Sequence, residues 1–316
     1  MMVSIVVPVL NEEQNLRELA QRVRKALEPE GVSFELIFVD DGSTDETPLV
    51  LGQLHALDPR VKVVRLSRNF GHQAAISMGL AAAGGDVVVM MDGDLQDPPE
   101  MLPALLARWR EGYDVVYAIR TRRVESWVKQ LAYKIFYRVL ARISQIDMPL
   151  DSGDFSLMTR RVVDVINALP EHMRFVRGMR SWAGFRQIGV EQTRGPRHAG
   201  RAKYTYGKLM RLAVDGIIAS SYRPLQIASI FGILVSGAAF LLAIGLIMLK
   251  LTHGIPLVGW TSLIVAILFM GGVQLVCVGI LGEYIGRIYE ETRGRPPSVV
   301  DRVLGDTRLP PARGAP

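Results

Sequence analysis

The stretch VVVMMDGDLQDPP, residues 87–99, is an apolar run that leads into three carboxylates, Asp92, Asp94 and Asp97. A short apolar run of this kind, bounded by turn residues, has the composition of a strand buried on both faces. We predict that Asp97 is the N-cap of a following helix, because Pro is favoured in a first helical turn and Glu100 completes a D-x-x-E capping box. Asp92 and Asp94 then need a separate explanation.

Two carboxylates one residue apart at the end of a buried strand repel each other unless a cation joins them. Gly93 between Asp92 and Asp94 lets the backbone turn closely around a ligand. Hard oxygen donors suit Mg²⁺ or Mn²⁺, which bridge a few carboxylates to substrate phosphates. The pattern alone also fits a solvated turn, but its position after an apolar strand favours the metal site.

The residues before and after this stretch alternate between strand-like and helix-like segments, which indicates an α/β fold with a mostly parallel, Rossmann-like sheet. Ligands of such sheets bind beyond the carboxyl ends of the strands, where this sequence places its polar clusters. A dinucleotide-binding domain would need a G-x-G-x-x-G after the first strand, and VVPVLNEEQ contains no glycine. The predicted strands are residues 3–9, 34–40, 61–66, 86–92 and 114–119.

Two long intervals near the C-terminus, from Arg223 to Lys250 and from Lys250 to Glu283, contain no charged residue between their ends. Each exceeds the roughly 20 residues that span a bilayer core. We predict two transmembrane helices, about 225–249 and 257–282, within a membrane segment 224–286. Basic residues flank the outer ends of this hairpin, so the positive-inside rule places both termini in the cytoplasm. The N-terminus lacks the basic region of a signal peptide.

The charge distribution indicates an anionic partner. The net charge is +6, and residues 120–223 hold 20 Lys and Arg against 8 Asp and Glu. A basic face toward anionic lipid and a phosphate-bearing substrate both explain this excess, whereas no nucleic-acid reader module accompanies it. The single cysteine, Cys277, excludes an intrachain disulfide and a Cys-based zinc site, and the five histidines lack metal-ligand spacing.

The remaining segments connect the predicted domain to the membrane. Residues 124–143 have the spacing of an amphipathic helix that lies in the membrane interface or packs on the protein's own core. Residues 206–223 predict a juxtamembrane helix, and the Pro- and Arg-rich tail 287–316 predicts a disordered cytoplasmic segment. Gly282 and Gly286 permit close helix contact, either within the hairpin or in a homo-oligomer.

Several ordered motifs resemble one known family. They are VVPVLNEEQNL, FVDDGSTDET, RNFGHQAAISMGL, GDVVVMMDGDLQDPPE and RHAGRAKY. Together they resemble the family 2 glycosyltransferases of the GT-A fold. Specifically, they resemble the polyprenyl-phosphate sugar transferases related to dolichol-phosphate mannose synthase and the bacterial undecaprenyl-phosphate glucosyltransferases. The resemblance implies a cytoplasmic GT-A domain over residues 1–205.

The resemblance also implies roles for individual residues. Asp92, Asp94 and Gln96 would hold Mg²⁺ or Mn²⁺ against the pyrophosphate of a nucleotide-sugar donor. The nucleoside pocket would be lined by Pro8, Leu10, Glu12 and Asp41, and the phosphates would be contacted by Arg120, Arg197 and Lys203. Ala202 stands where the family pattern R-x-x-G-x-S-K has Ser, which removes a hydroxyl contact but keeps the charges.

The motif DSGDF, residues 151–155, corresponds to the acceptor side of the family's site, where an acidic residue often acts as general base. Asp154 and Asp151 are the catalytic candidates. A polyprenyl phosphate, with a second pKa of about 6, is already a nucleophile at neutral pH, so these aspartates could instead orient groups. Arg122 and Lys129, in the basic stretch after the fifth predicted strand, are the predicted contacts to the lipid phosphate.

The resemblance thus implies a metal-dependent, inverting transfer of a hexose, glucose from UDP-glucose, to undecaprenyl phosphate at the cytoplasmic face of the bacterial inner membrane. Mannose from GDP-mannose and a modified arabinose are alternative sugars. A processive polysaccharide synthase would carry Q-x-x-R-W and more spans, and neither is present. A non-catalytic membrane scaffold that retains the fold is the alternative outside the enzymes.

Overall fold

The computed structural model describes residues 1–120, 152–171, 174–192, 223–253 and 259–308. The chain divides into two compact units. The sheet unit contains the described residues up to 192 together with residues 295–308, and the helical unit contains the described residues between 223 and 294.

The sheet unit is built from eight strands and the helices between them. The predicted helices at residues 124–143 and 206–222 lie outside the described residues. In chain order the described elements are β1 (Met2–Val9), α1 (Leu16–Leu27), β2 (Ser33–Asp40), α2 (Thr47–Leu57), β3 (Val61–Leu66), α3 (His72–Ala82), β4 (Val87–Met90), α4 (Leu102–Arg110), β5 (Val115–Arg120), β6 (Ser152–Thr159), α5 (Arg160–Ala168), α6 (Val176–Trp182), β7 (Gln187–Gln192), α7 (Arg223–His253), α8 (Trp260–Thr292) and β8 (Val300–Leu304). Two 3₁₀ turns, Glu28–Glu30 and Pro99–Met101, complete the set.

The strand order is β7-β5-β6-β4-β1-β2-β3-β8. Strands β4, β1, β2 and β3 are parallel neighbours, and β7 runs parallel to β5. Strand β6 lies between β4 and β5 and is antiparallel to both. The mixed, mostly parallel α/β sheet confirms the predicted fold class, and each of the five predicted strands is present within two residues of its expected bounds.

Buried side chains cover both faces of the sheet, as near-continuous apolar strands require. On one face, Ile5 belongs to the cluster that also contains Leu19 of α1 and Leu105 of α4. On the other face, Val6 belongs to the cluster that contains Ile76 of α3. Each fully buried aliphatic side chain of this size stabilises the fold by about 1.5–3 kcal/mol, so the two clusters fix the helices against the sheet.

Helix α3 lies unusually close to β1 because of Gly79. A Cβ at this position would lie 2.2 Å from Cγ1 of Val6, well inside van der Waals contact. The missing side chain therefore lets the helix backbone approach the centre of the sheet. This approach sets the position of the N-terminus of α3, which begins at His72.

The helical unit contains two helices that are long and apolar enough to cross a membrane. The candidate spans are Ala228–Leu246 and Ser262–Thr292, with mean hydropathies of 2.3 and 2.6. The most apolar stretch of each helix is not buried inside the structure. Both overlap the predicted spans. Helix α8 continues to Thr292, beyond the predicted end at residue 282, because the sequence from Glu283 onward keeps good helix formers such as Glu283, Arg287 and Glu290.

The prediction of a disordered tail over residues 287–316 is wrong for most of the described part. Helix α8 includes residues 287–292, and β8 pairs antiparallel with β3, with Val64 opposite Val303. The open edge of β3 offers unpaired backbone groups, and Val300 and Leu304 pack against the two buried clusters. The sequence around β8 is rich in Pro and Arg, and the prediction of disorder rested on this composition and overlooked the apolar residues of the strand. Residues 309–316 lie outside the described residues.

Candidate active site

The loop that contains Asp92, Asp94 and Asp97, residues 91–98, follows β4 at the centre of the sheet and is called the acidic loop below. Gly93 between the two aspartates is required by close packing, because a Cβ there would lie 2.9 Å from Cγ1 of Val9 and 3.3 Å from the carbonyl oxygen of Pro8. The loop therefore crosses directly over the carboxyl end of β1, the place where ligands of open α/β sheets bind. Asp92 and Asp94 are both partly exposed, as a ligand site requires.

The backbone after Asp94 is locally strained. The side chain of Asp94 accepts a hydrogen bond from the backbone N–H of Gln96 at 3.1 Å, and Leu95 between them has φ +61°, the left-handed region. Non-glycine residues adopt this conformation at a cost, and it recurs at functional sites. Gln96, two residues after Asp94, is buried, with 4% of its surface exposed.

The prediction that Asp97 is a helix N-cap is wrong. The 3₁₀ turn begins at Pro99 with Pro98 in the N-cap position, and no side chain caps it. For a cap at Asp97, Pro99 would stand at the N2 position and has no N–H, so only the N–H of Glu100 at N3 would remain to be capped. Asp97 is instead 1% exposed and accepts a hydrogen bond from the backbone N–H of Asp92 at 3.4 Å. This hydrogen bond joins the two ends of the acidic loop and stabilises it.

A line of charged side chains leads from the acidic loop to strand β6. Nε2 of His72, the first residue of α3, lies 3.6 Å from Oδ1 of Asp92 and 3.8 Å from Oδ2 of Asp154 on β6. Arg177 on α6 donates to Oδ1 of Asp154 from Nη2 at 3.1 Å and from Nε at 3.2 Å. Four separate elements thus contribute to one cluster.

The charges in this cluster perturb one another. Burial raises the pKa of Asp92 to about 6, with a further contribution from the nearby charge of Asp97. Burial would also raise the pKa of Asp154, but the contacts with His72 and Arg177 outweigh it and hold that pKa well below its usual range. The contact with Asp154 raises the pKa of His72. Neighbouring groups whose pKa values shift in opposite directions are typical of functional sites.

The candidate nucleoside residues Pro8, Leu10, Glu12 and Asp41 lie together at the carboxyl ends of β1 and β2. Pro8 is buried and Leu10 is 40% exposed. The backbone N–H of Glu12 donates to Oγ1 of Thr47 at 2.9 Å, which fixes the loop after β1 against the start of α2. The structure therefore brings the predicted residues of this pocket into one place.

Asp41 also has a structural role that the sequence did not indicate. Its two carboxylate oxygens accept hydrogen bonds from the backbone N–H groups of Phe70 and Gly71, at 2.8 and 2.9 Å. These residues directly precede His72, so Asp41 fixes the entry to α3. The side chain is 3% exposed, which leaves little room for contact with a ligand in this conformation.

Of the other predicted site residues, the structure describes only Arg120. Arg120 is the last residue of β5, where its backbone pairs with Gln192 of β7. The remaining candidates lie outside the described residues: Asp151, Arg122, Lys129, Arg197 and Lys203.

His72 and Arg177 were not among the predicted site residues. The motif RNFGHQAAISMGL contains His72 next to a glycine at a helix start, which was the available signal. Arg177 follows Phe175 in a segment with no recognisable motif, and only the packing of α6 against β6 brings it to Asp154.

The described residues contain no cluster of three or more His, Cys, Asp or Glu side chains that could enclose a metal ion. Asp92 and Asp94 with Gln96 instead offer a few hard oxygen donors at the rim of the crevice. Mg²⁺ and Mn²⁺ fit such a set, because they commonly keep several waters and bind substrate phosphates beside one or two carboxylates. The close acidic neighbours of Asp92 leave negative charge that a divalent cation would neutralise.

A mixed sheet with an acidic loop beyond its central parallel strand is the architecture of a GT-A glycosyltransferase domain. The family model described as glycosyl transferase family 2 matches residues 4–166. The chain belongs to glycosyl transferase family 2.

Similar proteins cover almost the whole chain. The glycosyltransferase YkcC of Bacillus subtilis is 46% identical over 303 residues, 96% of this chain and 94% of that protein. The bactoprenol glucosyl transferase of Shigella phage SfII is 40% identical over 303 residues, 96% and 98% of the two chains. Among solved structures, glucosyl-3-phosphoglycerate synthase of Mycobacterium tuberculosis has a TM-score of 0.48 at 21% identity, covering 69% of this chain and 79% of that one.

Proposed function

We propose that the protein transfers glucose from UDP-glucose to undecaprenyl phosphate, the phosphate ester of bactoprenol. The observation that carries this proposal is the 40% identity to bactoprenol glucosyl transferases over 96% of the chain, which includes both the sheet unit and the two long apolar helices. The acidic loop and the charged cluster around Asp154 supply the chemistry that such a transfer needs.

Asp92 and Asp94, with Gln96, are the proposed ligands of a divalent cation, Mg²⁺ or Mn²⁺. When bound, such an ion neutralises the charge that develops on the departing nucleoside diphosphate. The left-handed backbone at Leu95 and the hydrogen bond from Gln96 to Asp94 keep these donors in one geometry without the ligand. This pre-organisation lowers the cost of binding.

The donor nucleotide is assigned to the crevice beyond β1 and β2. Pro8, Leu10 and Glu12 would line the nucleoside pocket, and Asp41 would form its floor while holding the start of α3. The donor phosphates are assigned to Arg120, Arg197 and Lys203, because guanidinium and ammonium groups offset the charge of a leaving diphosphate.

In the proposed reaction an oxygen of the acceptor phosphate attacks the anomeric carbon of glucose. The bond from that carbon to the UDP oxygen breaks with inversion, which yields glucosyl lipid phosphate and UDP. Asp151 and Asp154 are the proposed catalytic carboxylates on the acceptor side. A carboxylate whose pKa is held far below its usual range is a weak base, so Asp154 suits the orientation of His72 and Arg177 better than proton abstraction.

The two long apolar helices are proposed to anchor the protein in the bacterial inner membrane, with both termini and the sheet unit in the cytoplasm. Arg223 at the start of the first helix and Arg287, Arg293 and Arg295 near the end of the second support this orientation. Arg122 and Lys129 are the proposed contacts to the lipid phosphate, and the donor would be the cytoplasmic nucleotide sugar.

The proposal is tested with full-length protein purified in detergent, undecaprenyl phosphate and Mg²⁺ or Mn²⁺. Radiolabelled UDP-glucose, UDP-galactose and GDP-mannose are supplied separately, and lipid-linked sugar is extracted and separated. We expect product from UDP-glucose only, and Asp94→Asn should abolish it while the protein still unfolds at the wild-type temperature. Product from GDP-mannose alone would contradict the assigned sugar, and no product with any donor would contradict the function.

A further inference from the structure

Arg180 on α6 is a fully buried arginine whose guanidinium has no hydrogen-bond partner among the described residues. It is 0% exposed, and within the part of the chain that the structure describes no acceptor bonds to Nε, Nη1 or Nη2. Buried polar groups of proteins are nearly always satisfied, and a buried unpaired charge is costly to the fold. Such a group therefore calls for a functional explanation.

The position of Arg180 places it behind the acceptor side of the site. Its guanidinium lies 5.2 Å from the ring centroid of Tyr117 on β5, and Tyr117 is opposite Ser156 on β6. The pairing of β5 with β6 is irregular next to Ser156, but Asp154 contacts Arg177 and Tyr117 contacts Arg180, so both side chains lie on the side of the sheet that α6 covers. Arg177, one helical turn before Arg180, forms the ion pair with Asp154.

Arg180 remains a cation in this surrounding. Burial lowers its pKa to about 10, with a further contribution from the charge of Arg177, and a group with this pKa is protonated at neutral pH. Two guanidinium groups, those of Arg177 and Arg180, therefore lie near the carboxylate of Asp154. Since none of the described residues accepts a hydrogen bond from its guanidinium, the five donors of Arg180 can bind an anion.

We propose that Arg177 and Arg180 form the site that receives the phosphate group of the acceptor. The inference rests on the proposed function and deepens it, because it adds two described residues to Arg122 and Lys129 as contacts of the acceptor phosphate. A phosphate supplies the charge and the several acceptor oxygens that a guanidinium fork matches. The acceptor is assigned here, rather than the donor, because His72 separates Asp154 and the arginines from Asp92.

The site also accounts for selection of a phosphate over a neutral hydroxyl as nucleophile. A neutral acceptor would leave the buried cation without a partner, whereas a phosphate pairs with it in a low-dielectric surrounding. Arg177 would hold the phosphate beside Asp154, and Arg180 would bind it from behind. Because Arg180 is fully buried, its side chain must shift when the acceptor binds.

The kinetic test uses Arg180→Met, which keeps the volume and removes the charge. With farnesyl phosphate as a soluble acceptor, we expect the KM for the acceptor to rise at least about tenfold, the effect of losing a hydrogen bond to a charged group. The KM for UDP-glucose should stay unchanged. Arg161→Met, which removes an exposed arginine paired with Asp114, is the control with the same change in net charge and should alter neither KM.

Two kinetic results would overturn the proposal: an unchanged acceptor KM, or a rise confined to the donor KM. Arg180→Lys is the second variant, since it keeps the charge without the planar fork. It should give an acceptor KM between those of the wild type and Arg180→Met, and a wild-type value in both variants would refute the site.

A binding test separates the site from the activity. Thermal unfolding is followed in EDTA with increasing inorganic phosphate. The wild-type protein should be stabilised as phosphate binds, and Arg180→Met should respond less while unfolding at or above the wild-type temperature without phosphate. If Arg180→Met fails to fold, the guanidinium is a structural group and the proposal is wrong. Phosphate stabilisation that depends on Arg180 would support the anion site even if no donor gives a glycolipid.

Discussion

The bonds from Asp41 to the start of α3 predict a large loss of stability in Asp41→Asn. Its two carboxylate oxygens accept the N–H groups of Phe70 and Gly71 at 2.8 and 2.9 Å in a nearly buried position. The amide keeps one acceptor, which is now uncharged, and turns two N–H donors toward the other backbone N–H. Weakening one charged bond and leaving one buried donor unsatisfied costs about 3 kcal/mol together.

For a domain of roughly 150–250 residues this corresponds to a fall in melting temperature of about 6–12 °C. The measurement is thermal unfolding of the full-length protein in detergent, followed by circular dichroism. Asp164→Asn is the matched control, because it makes the same charge change at an exposed i,i+4 pair with Arg160 and should shift the stability by less than about 0.5 kcal/mol. A melting temperature of Asp41→Asn equal to that of the control would refute the role of Asp41 in fixing α3.

Two further predictions concern the opposite end of the sheet and the packing of α3. The carboxylate of Glu35 is buried, with its Oε2 2.6 Å from Nζ of Lys62. Burial alone would raise its pKa, but the contacts with Lys62, Ser4 and Gly84 outweigh burial and lower it. The stabilisation by Glu35 is therefore present above pH 4.5 and is lost as the pH falls through the lowered pKa. Glu35→Gln should unfold about 3 kcal/mol more easily at pH 7, and melting curves at decreasing pH should show the difference shrink below pH 4.5. Gly79→Ala should destabilise by about 1–2 kcal/mol in urea unfolding, because the clash with Val6 exceeds the gain in helix propensity. Gly52→Ala in α2, with no atom within 4 Å of the new Cβ, should instead stabilise by about 0.5–1 kcal/mol.

The first five strands were predictable because each is a nearly continuous apolar run between helices. The last three were not, for different reasons. Strand β6 carries polar residues such as Asp154 and Ser156, β7 lies at the edge of the sheet, and the apolar residues of β8 are enclosed by Pro- and Arg-rich sequence. Their pairing depends on which strand edges the rest of the fold leaves open, which no local pattern reports.

The site was predictable where it follows the strand ends and unpredictable where it depends on strand order. The position of Asp92 and Asp94 follows from the end of β4 alone. The cluster of His72, Asp154 and Arg177 exists because β6 inserts between β4 and β5, although it comes later in the chain. The prediction for Asp97 was wrong because the capping pattern was matched by residue type alone, although Pro99 has no N–H for a cap to accept.

The pairing of β3 with β8 links the completion of the sheet to the order of biosynthesis. The ribosome delivers β3 early, and β8 emerges only after both long apolar helices. Throughout that interval the nascent sheet presents the bare edge of β3, which other chains could pair with. Closure of that edge is therefore a late event, and it marks molecules whose two long helices have already been synthesised.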